Sequence, residues 1–194
     1  MRFFLFIILL SGVSLFGQER IPMKAKEYKT TLRNEYRRVF GLNGPQDAVT
    51  IGASTIHQES RWNPRAQSSH AMGLAQFVPS TWTWIQEIDR SISTMGDVWN
   101  PYVSIRAMAR YHQWLWVRVR ARSEEDRWAG VLSSYNGGEL WYRRDRRLAN
   151  TDAWFDGIEK FNAGRSQASI RENRGYVYNI LKRWSPMYAS AGFK

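Results

Sequence analysis

Apolar residues recur at three- and four-residue spacing along most of this chain, and nowhere do they alternate over a length that a strand needs. That pattern admits helices packed on helices, so the expected fold class is mainly α. The longest stripe runs over residues 103–121 through Ile105, Met108, Ala109, His112, Leu115, Trp116 and Val119, with Arg106, Arg110 and Arg118 largely off it. Before it, the spacing predicts a helix over 23–40 closed by Gly41, one opened by Pro45 and running to Ser60, and one starting at Pro79. Gly96 and Asn100-Pro101 mark residues 90–101 as irregular. Ser123, followed by Glu124, Glu125 and Asp126, reads as a capped helix start, because a hydroxyl can accept from a free backbone N–H and acidic groups suit the positive end of the helix dipole. That helix ends at Gly137-Gly138. Short helices follow over 139–148 and 151–161, then a last one over 170–184 with Pro186 beyond its end.

At 194 residues the chain is long enough for one well-buried domain, and the sequence carries no internal period of 20 to 50 residues. Ten Trp, nine Tyr and nine Phe are more rings than such a core needs, which leaves some to line a groove. Lys and Arg number 28 against 17 Asp and Glu, a net charge of +11 that draws the protein toward a polyanion. With no Cys, thiol catalysis, Cys-ligated zinc and a disulfide framework are excluded. Met1-Arg2, then apolar residues 3–10 and small residues before Gln18, read as a signal peptide over residues 1–17. The apolar run is shorter than the roughly 20 residues a membrane-spanning helix requires. Leu15 fits the small-residue rule for cleavage after Gly17 poorly, so a retained N-terminal anchor is the alternative. Export to the periplasm or cell envelope is expected in either case.

The chemistry points to residues 56–81. Glu59 sits at the end of an apolar helical run, flanked by His57 and Trp62, where desolvation would raise its pKa and keep it protonated near neutral pH. A protonated Glu can donate to a glycosidic oxygen. The loop that follows carries Gly73, whose backbone can approach a ligand closely, and Gln76, whose amide offers both donor and acceptor.

With these residues the chain resembles the lytic transglycosylases of the goose-type lysozyme-like superfamily. The family's Glu-Ser motif appears as Glu59-Ser60, its Gly-Leu-Met-Gln motif as Gly73-Leu74-Ala75-Gln76, and its Ala-Tyr-Asn-Ala-Gly motif as Ser134-Tyr135-Asn136-Gly137-Gly138. A late Glu-x-x-x-Tyr-Val motif appears as Glu172 to Tyr176-Val177. Four motifs in order, over about residues 45 to 185, are far more specific than any one. The resemblance implies a lysozyme-like single domain with a central catalytic helix and a sugar-binding groove. It further implies cleavage of the β-1,4 bond between N-acetylmuramic acid and N-acetylglucosamine in peptidoglycan, leaving 1,6-anhydro-muramic acid ends. Glu59 would act as acid and then as base. Ser60 would lie near the cleaved linkage, Gln76 and Asn136 would bind substrate amides, Tyr135 would form the floor of the cleft, and Tyr176 would hold Glu59. Glu172 would tie the last helix to the catalytic one. Neither metal nor cofactor is implied.

Two positions depart from the family pattern: Ala75 replaces Met and Gly137 replaces Ala, smaller residues expected to widen the groove or alter subsite preference. Glycosidases commonly use a second carboxylate about 5 Å or roughly 6.5 to 9.5 Å from the acid. Asp89 and Asp97 follow the motif loop, but read better as a helix-end group and a turn residue. His57, His70 and His112 do not make a metal-ligand spacing. The basic run from Arg143 to Arg147 reads as a solvated face, suited to an anionic wall polymer or membrane surface rather than to nucleic acid. The sequence therefore divides into an N-terminal helical extension (18–44), a catalytic domain (45–185) and a C-terminal tail (186–194), and a monomer acting on glycan strands is expected. A hydrolysing muramidase and a catalytically inactive peptidoglycan-binding module stay open as alternatives.

Overall fold

A computed structural model describes residues 20–194, so the segment read as a signal peptide lies outside the described residues. The described chain is helical, in the order α1 (Met23–Glu27), α2 (Lys29–Phe40), α3 (Ala48–Ser60), α4 (Pro79–Ile88), α5 (Arg90–Met95), α6 (Pro101–Trp116), α7 (Glu124–Gly137), α8 (Glu139–Ala149), a 3-10 turn (Ile158–Lys160), α9 (Gln167–Tyr178), a π-helical turn (Asn179–Trp184) and α10 (Ser185–Ser190). None of these helices is long and apolar enough to cross a membrane.

The fold is arranged around α3. Every residue from Ala48 to His57 is buried, the condition of a helix enclosed on all sides, with α2, the π-helical turn and α10 packed against it. Its buried hydroxyls are satisfied without leaving that shell: Ser54 donates to the Thr50 carbonyl at 2.8 Å, Thr55 to the Ile51 carbonyl at 2.9 Å, and Thr50 to the carbonyl of Phe193. A second layer pairs α6 with α2 and α7, and α7 with α8 and α9.

Several boundaries differ from the sequence-based expectation. The helix over 23–40 breaks at Tyr28, whose ring stacks on Trp62 with centroids 6.1 Å apart. Residues 90–95, expected to be irregular, form α5 because the Asp89 side chain caps it, accepting from the Ser91 backbone N–H at 3.2 Å. The long stripe ends at Trp116, since residues 117–120 alternate Val and Arg with Val117 exposed and Val119 buried, a two-residue period that does not suit a helix. Residues 151–161 yield only the 3-10 turn, and the Arg174 guanidinium donates to the carbonyls of Glu159, Ile158 and Phe161 at its end. The last helix does not stop before Pro186. Proline has no N–H and crowds the carbonyl four residues before it, and the wider π turn over Asn179–Trp184 accommodates it inside the first turn of α10. Residues 186–194, set apart in the sequence as a tail, bring Tyr188 and Phe193 into the core, and Lys29 and Arg33 of α2 donate to the carbonyls of Ala191 and Lys194.

Candidate active site

Glu59 is the penultimate residue of α3, and the chain beyond it reverses through two consecutive left-handed residues, Arg61 (φ 48°) and Trp62 (φ 66°). Such residues cost about 1–2 kcal/mol each outside glycine. Burial of Trp62, which is fully enclosed with its indole N–H donating to the Tyr188 hydroxyl, offsets that cost, so the helix end is fixed by the core beneath it. His57 lies within α3, bonded through Nδ1 to the same Tyr188 hydroxyl at 2.8 Å, and Gln58 accepts from the Trp184 indole at 2.9 Å.

The Glu59 carboxyl takes one strong hydrogen bond, from the Tyr176 hydroxyl at 2.5 Å. Desolvation raises its pKa to about 8; the Tyr176 bond works against this by favouring the charged form, and the negative charge of Glu172 adds to the rise. Tyr176 is itself held protonated, its pKa raised well above the usual phenol by burial. Glu59 is therefore an acid that carries its proton at neutral pH, oriented by a hydroxyl that does not titrate there.

The wall after α3 is an ordered loop, bridged between Gln67 and Met72 and between Met72 and Phe77. At Gly73 (φ 77°) a Cβ would stand 2.4 Å from the Val98 carbonyl oxygen, so both the backbone angle and the space require glycine. Ala75 is fully buried, its N–H donating to the Ser104 hydroxyl and its carbonyl accepting from the Tyr135 hydroxyl at 2.8 Å. It lies in the inner layer of the wall. The Gln76 amide nitrogen donates to the carbonyls of Ala66 and Gly73, both at 2.9 Å, so its donors brace the loop.

Tyr135 lies beneath this wall against Phe77, Tyr111 and His112. Tyr111 leads on to Trp84 and Trp114, and with Ser80, Thr81 and Glu139 these rings line an open cavity of about 230 Å³. Asn136, at the end of α7, accepts from the Asn173 side-chain amide at 2.9 Å and lines a second cavity, of about 490 Å³, with Gly137, Trp141, Arg165 and Glu172. Ser60 is half-buried, its hydroxyl donating back to the Ile56 carbonyl at 3.3 Å. Residues 48–154 match the family described as Transglycosylase SLT domain. That span is more than half of the chain. The chain belongs to the transglycosylase SLT domain family. Glu59, Ser60, Gln76, Tyr135 and Asn136 fall inside the matched SLT span, and Tyr176 follows it. Among solved structures, the fold is similar to that of the 70 kDa soluble lytic transglycosylase from Escherichia coli, with a TM-score of 0.61 at 18% identity over 90% of this chain. The chain spans 31% of that protein's length. A search of curated protein sequences gave no match.

Some roles are distributed otherwise in this SLT domain than the sequence implied. Glu172 is exposed and faces the second cavity, while its neighbour Asn173 ties α9 to α7, accepting from the Ser133 hydroxyl and donating to the Ser133 carbonyl and to Asn136. Asp89 is engaged by Ser91 and Arg38, and Asp97 turns the chain by accepting from the Trp99 and Asn100 N–H groups. The basic run is interrupted by a fully buried carboxylate, Asp145, which faces inward to Arg165 and Arg174. No cluster of metal-ligating side chains occurs among the described residues. Ser104 and Arg165 carried no sequence signal, each being a single polar residue without a spacing partner.

Proposed function

We propose that this SLT domain is a peptidoglycan lytic transglycosylase whose single acid and base is Glu59. The observation that carries the proposal is the Glu59 carboxyl, held protonated up to about pH 8 and aligned by Tyr176 at 2.5 Å. In the first step Glu59 gives its proton to the oxygen of the β-1,4 linkage between N-acetylmuramic acid and N-acetylglucosamine, and the bond from that oxygen to muramyl C1 breaks. The cationic C1 is supported by the acetamido oxygen of the same sugar. In the second step the Glu59 carboxylate takes the proton of the muramyl C6 hydroxyl, whose oxygen bonds to C1 and closes a 1,6-anhydro ring. Glu59 ends protonated, no water is consumed, and no metal or cofactor enters the balance.

A pKa near 8 suits both steps, since the group is protonated when substrate binds yet basic enough to recover its proton. Tyr176 supplies a donor that strengthens as the carboxylate forms. The aromatic cavity of Trp84, Tyr111 and Trp114 offers faces on which sugar rings stack, and the carbonyl of Gln76 and the amide of Asn136 offer partners to acetamido groups. Peptidoglycan as substrate places the protein outside the cytoplasmic membrane.

Mass spectrometry of muropeptides released from sacculi by wild type and Glu59→Gln tests the proposal. Anhydro-muramyl ends from wild type, reduced by about a thousandfold or more in the variant, are expected on the scale at which a proton-transferring group acts. Reducing ends would assign hydrolysis instead, and an unchanged digest in the variant would remove Glu59 from the chemistry.

A further inference from the structure

The cavity of about 490 Å³ lies between the end of α7, the start of α8 and the segment leading into α9. Glu172 on its lining lies about one turn before Tyr176 on α9, and the Tyr176 hydroxyl holds Glu59, so the cavity is close to that carboxyl. Its other charged lining residue is Arg165, whose side chain is only 6% exposed. One arm of that guanidinium pairs with Asp145, yet Nε has no hydrogen-bond partner among the described residues.

Asp145 is fully buried and shared: Arg174 donates to it at 2.7 Å as well. Asp145 is thus divided between two guanidiniums, and Glu159 is a second carboxylate near Arg174, not Arg165's own partner. Arg174 directs its remaining donors to three backbone carbonyls and the Asn173 side chain. Arg165 has no such set, and an unpartnered donor on a buried cation is costly unless something else satisfies it. The residue is also held rigidly, because Asn162 accepts from the Gly164 and Arg165 N–H groups and donates to the Arg165 carbonyl.

Gly137 provides the room. A Cβ there would stand 2.7 Å from Arg165 Nη1 and 2.8 Å from Asn173 Nδ2. The family pattern has Ala at this position, and here that Cβ would meet the arginine beneath it. We infer that Arg165, seated under Gly137, is a specificity-determining residue that receives a carboxylate of the peptide substituent on the muramyl sugar, in the cavity formed with Asn136, Trp141, Ser169 and Glu172. This rests on the proposed peptidoglycan reading of the Glu59 site.

Binding, which does not require turnover, separates the two. The Glu59→Gln protein is titrated by calorimetry with muramyl dipeptide and with the same compound amidated at its carboxylate. About tenfold tighter binding of the carboxylate form is expected, the scale of one charge-assisted hydrogen bond. Arg165→Met in that background removes the preference, Arg165→Lys retains part of it, and Gly137→Ala weakens it by displacing the guanidinium while leaving every charge in place. Circular dichroism confirms that each variant is folded, and if Arg165→Met is not, Gly137→Ala decides. Equal affinity for the two compounds in the parent, a preference that survives Arg165→Met, or one that is undiminished in Gly137→Ala, overturns the inference. A digest without anhydro products beside an intact carboxylate preference would instead refute the proposed reaction alone.

Discussion

Tyr176→Phe isolates the one hydrogen bond that tunes the acid. The hydroxyl lies 2.5 Å from Glu59 Oε1 and favours the charged carboxylate, so its removal raises the Glu59 pKa above about 8. A hydrogen bond to a charged group contributes about 1.5 kcal/mol or more, and 1.36 kcal/mol corresponds to one pKa unit, so the rise is on the order of one unit. The ring stays in place because Tyr176 is buried with Val177 in the same core, and phenylalanine retains that packing. The assay is the pH dependence of kcat/KM on solubilised glycan strands, which reports the free enzyme's essential acid. Its alkaline limb moves upward by about one unit in the variant. Lost orientation lowers the plateau as well, but the position of the limb is independent of the plateau's height. A limb that stays put or moves to lower pH would refute the assignment of Glu59 as the acid tuned by Tyr176.

Other perturbations follow from the same structure. Asp145→Ala leaves the Arg165 and Arg174 guanidiniums buried without their shared carboxylate, and a loss of about 3–5 kcal/mol in urea unfolding is expected. Gly73→Ala forces a Cβ to 2.4 Å from the Val98 carbonyl at φ 77°, so stability falls by more than the roughly 1 kcal/mol of backbone strain alone, measured as a drop in Tm. Stability itself depends on pH from both sides. Desolvation depresses the His112 pKa to about 3 from 6.5, so the unfolded chain binds more protons and stability declines as pH falls below 6.5. Glu59, raised from 4.5 to about 8, binds more protons when folded, so stability also declines as pH rises from 4.5 toward 8. Glu59→Gln removes the second decline, which thermal melts between pH 5 and 9 would show as a flatter profile.

The helical class was legible because the apolar stripes of α2, α6 and α7 face one core at a constant period. α3 was legible for another reason, being rich in small and apolar residues and bounded by Pro45 and Pro64. What escaped was local structure set by distant groups. Nothing near residues 151–161 announces that Arg174 will take the carbonyls of Glu159 and Phe161, and nothing near Pro186 announces a widened turn upstream. At the site, Glu59 could be read because desolvation follows from its apolar neighbours. The family motifs brought Tyr135, Asn136 and Tyr176 with it, and the structure sets Tyr176 against Glu59, Tyr135 under the Ala75 carbonyl and Asn136 on the lining of the second cavity. Glu172 faces the cavity while Asn173 turns to α7, because a one-residue step on a helix turns a side chain by about 100°. The Trp residues sorted only in three dimensions, Trp154 into the core and Trp84, Trp114 and Trp141 onto cavity linings.

The π-helical turn between α9 and α10 sets the phase of the whole C-terminal half. Upstream of it Tyr176 meets Glu59, and downstream Tyr188 meets His57 and Trp62, so one continuous rod grips α3 and the turn after it at two points about three α-helical turns apart. An unbroken α-helix would bring residue 188 round by a different angle, because the π turn adds the residue that shifts the register. Shortening 179–184 by one residue would then act like a gear slipping one tooth: each half of the rod would keep its shape, and only one of the two tyrosines could engage at a time.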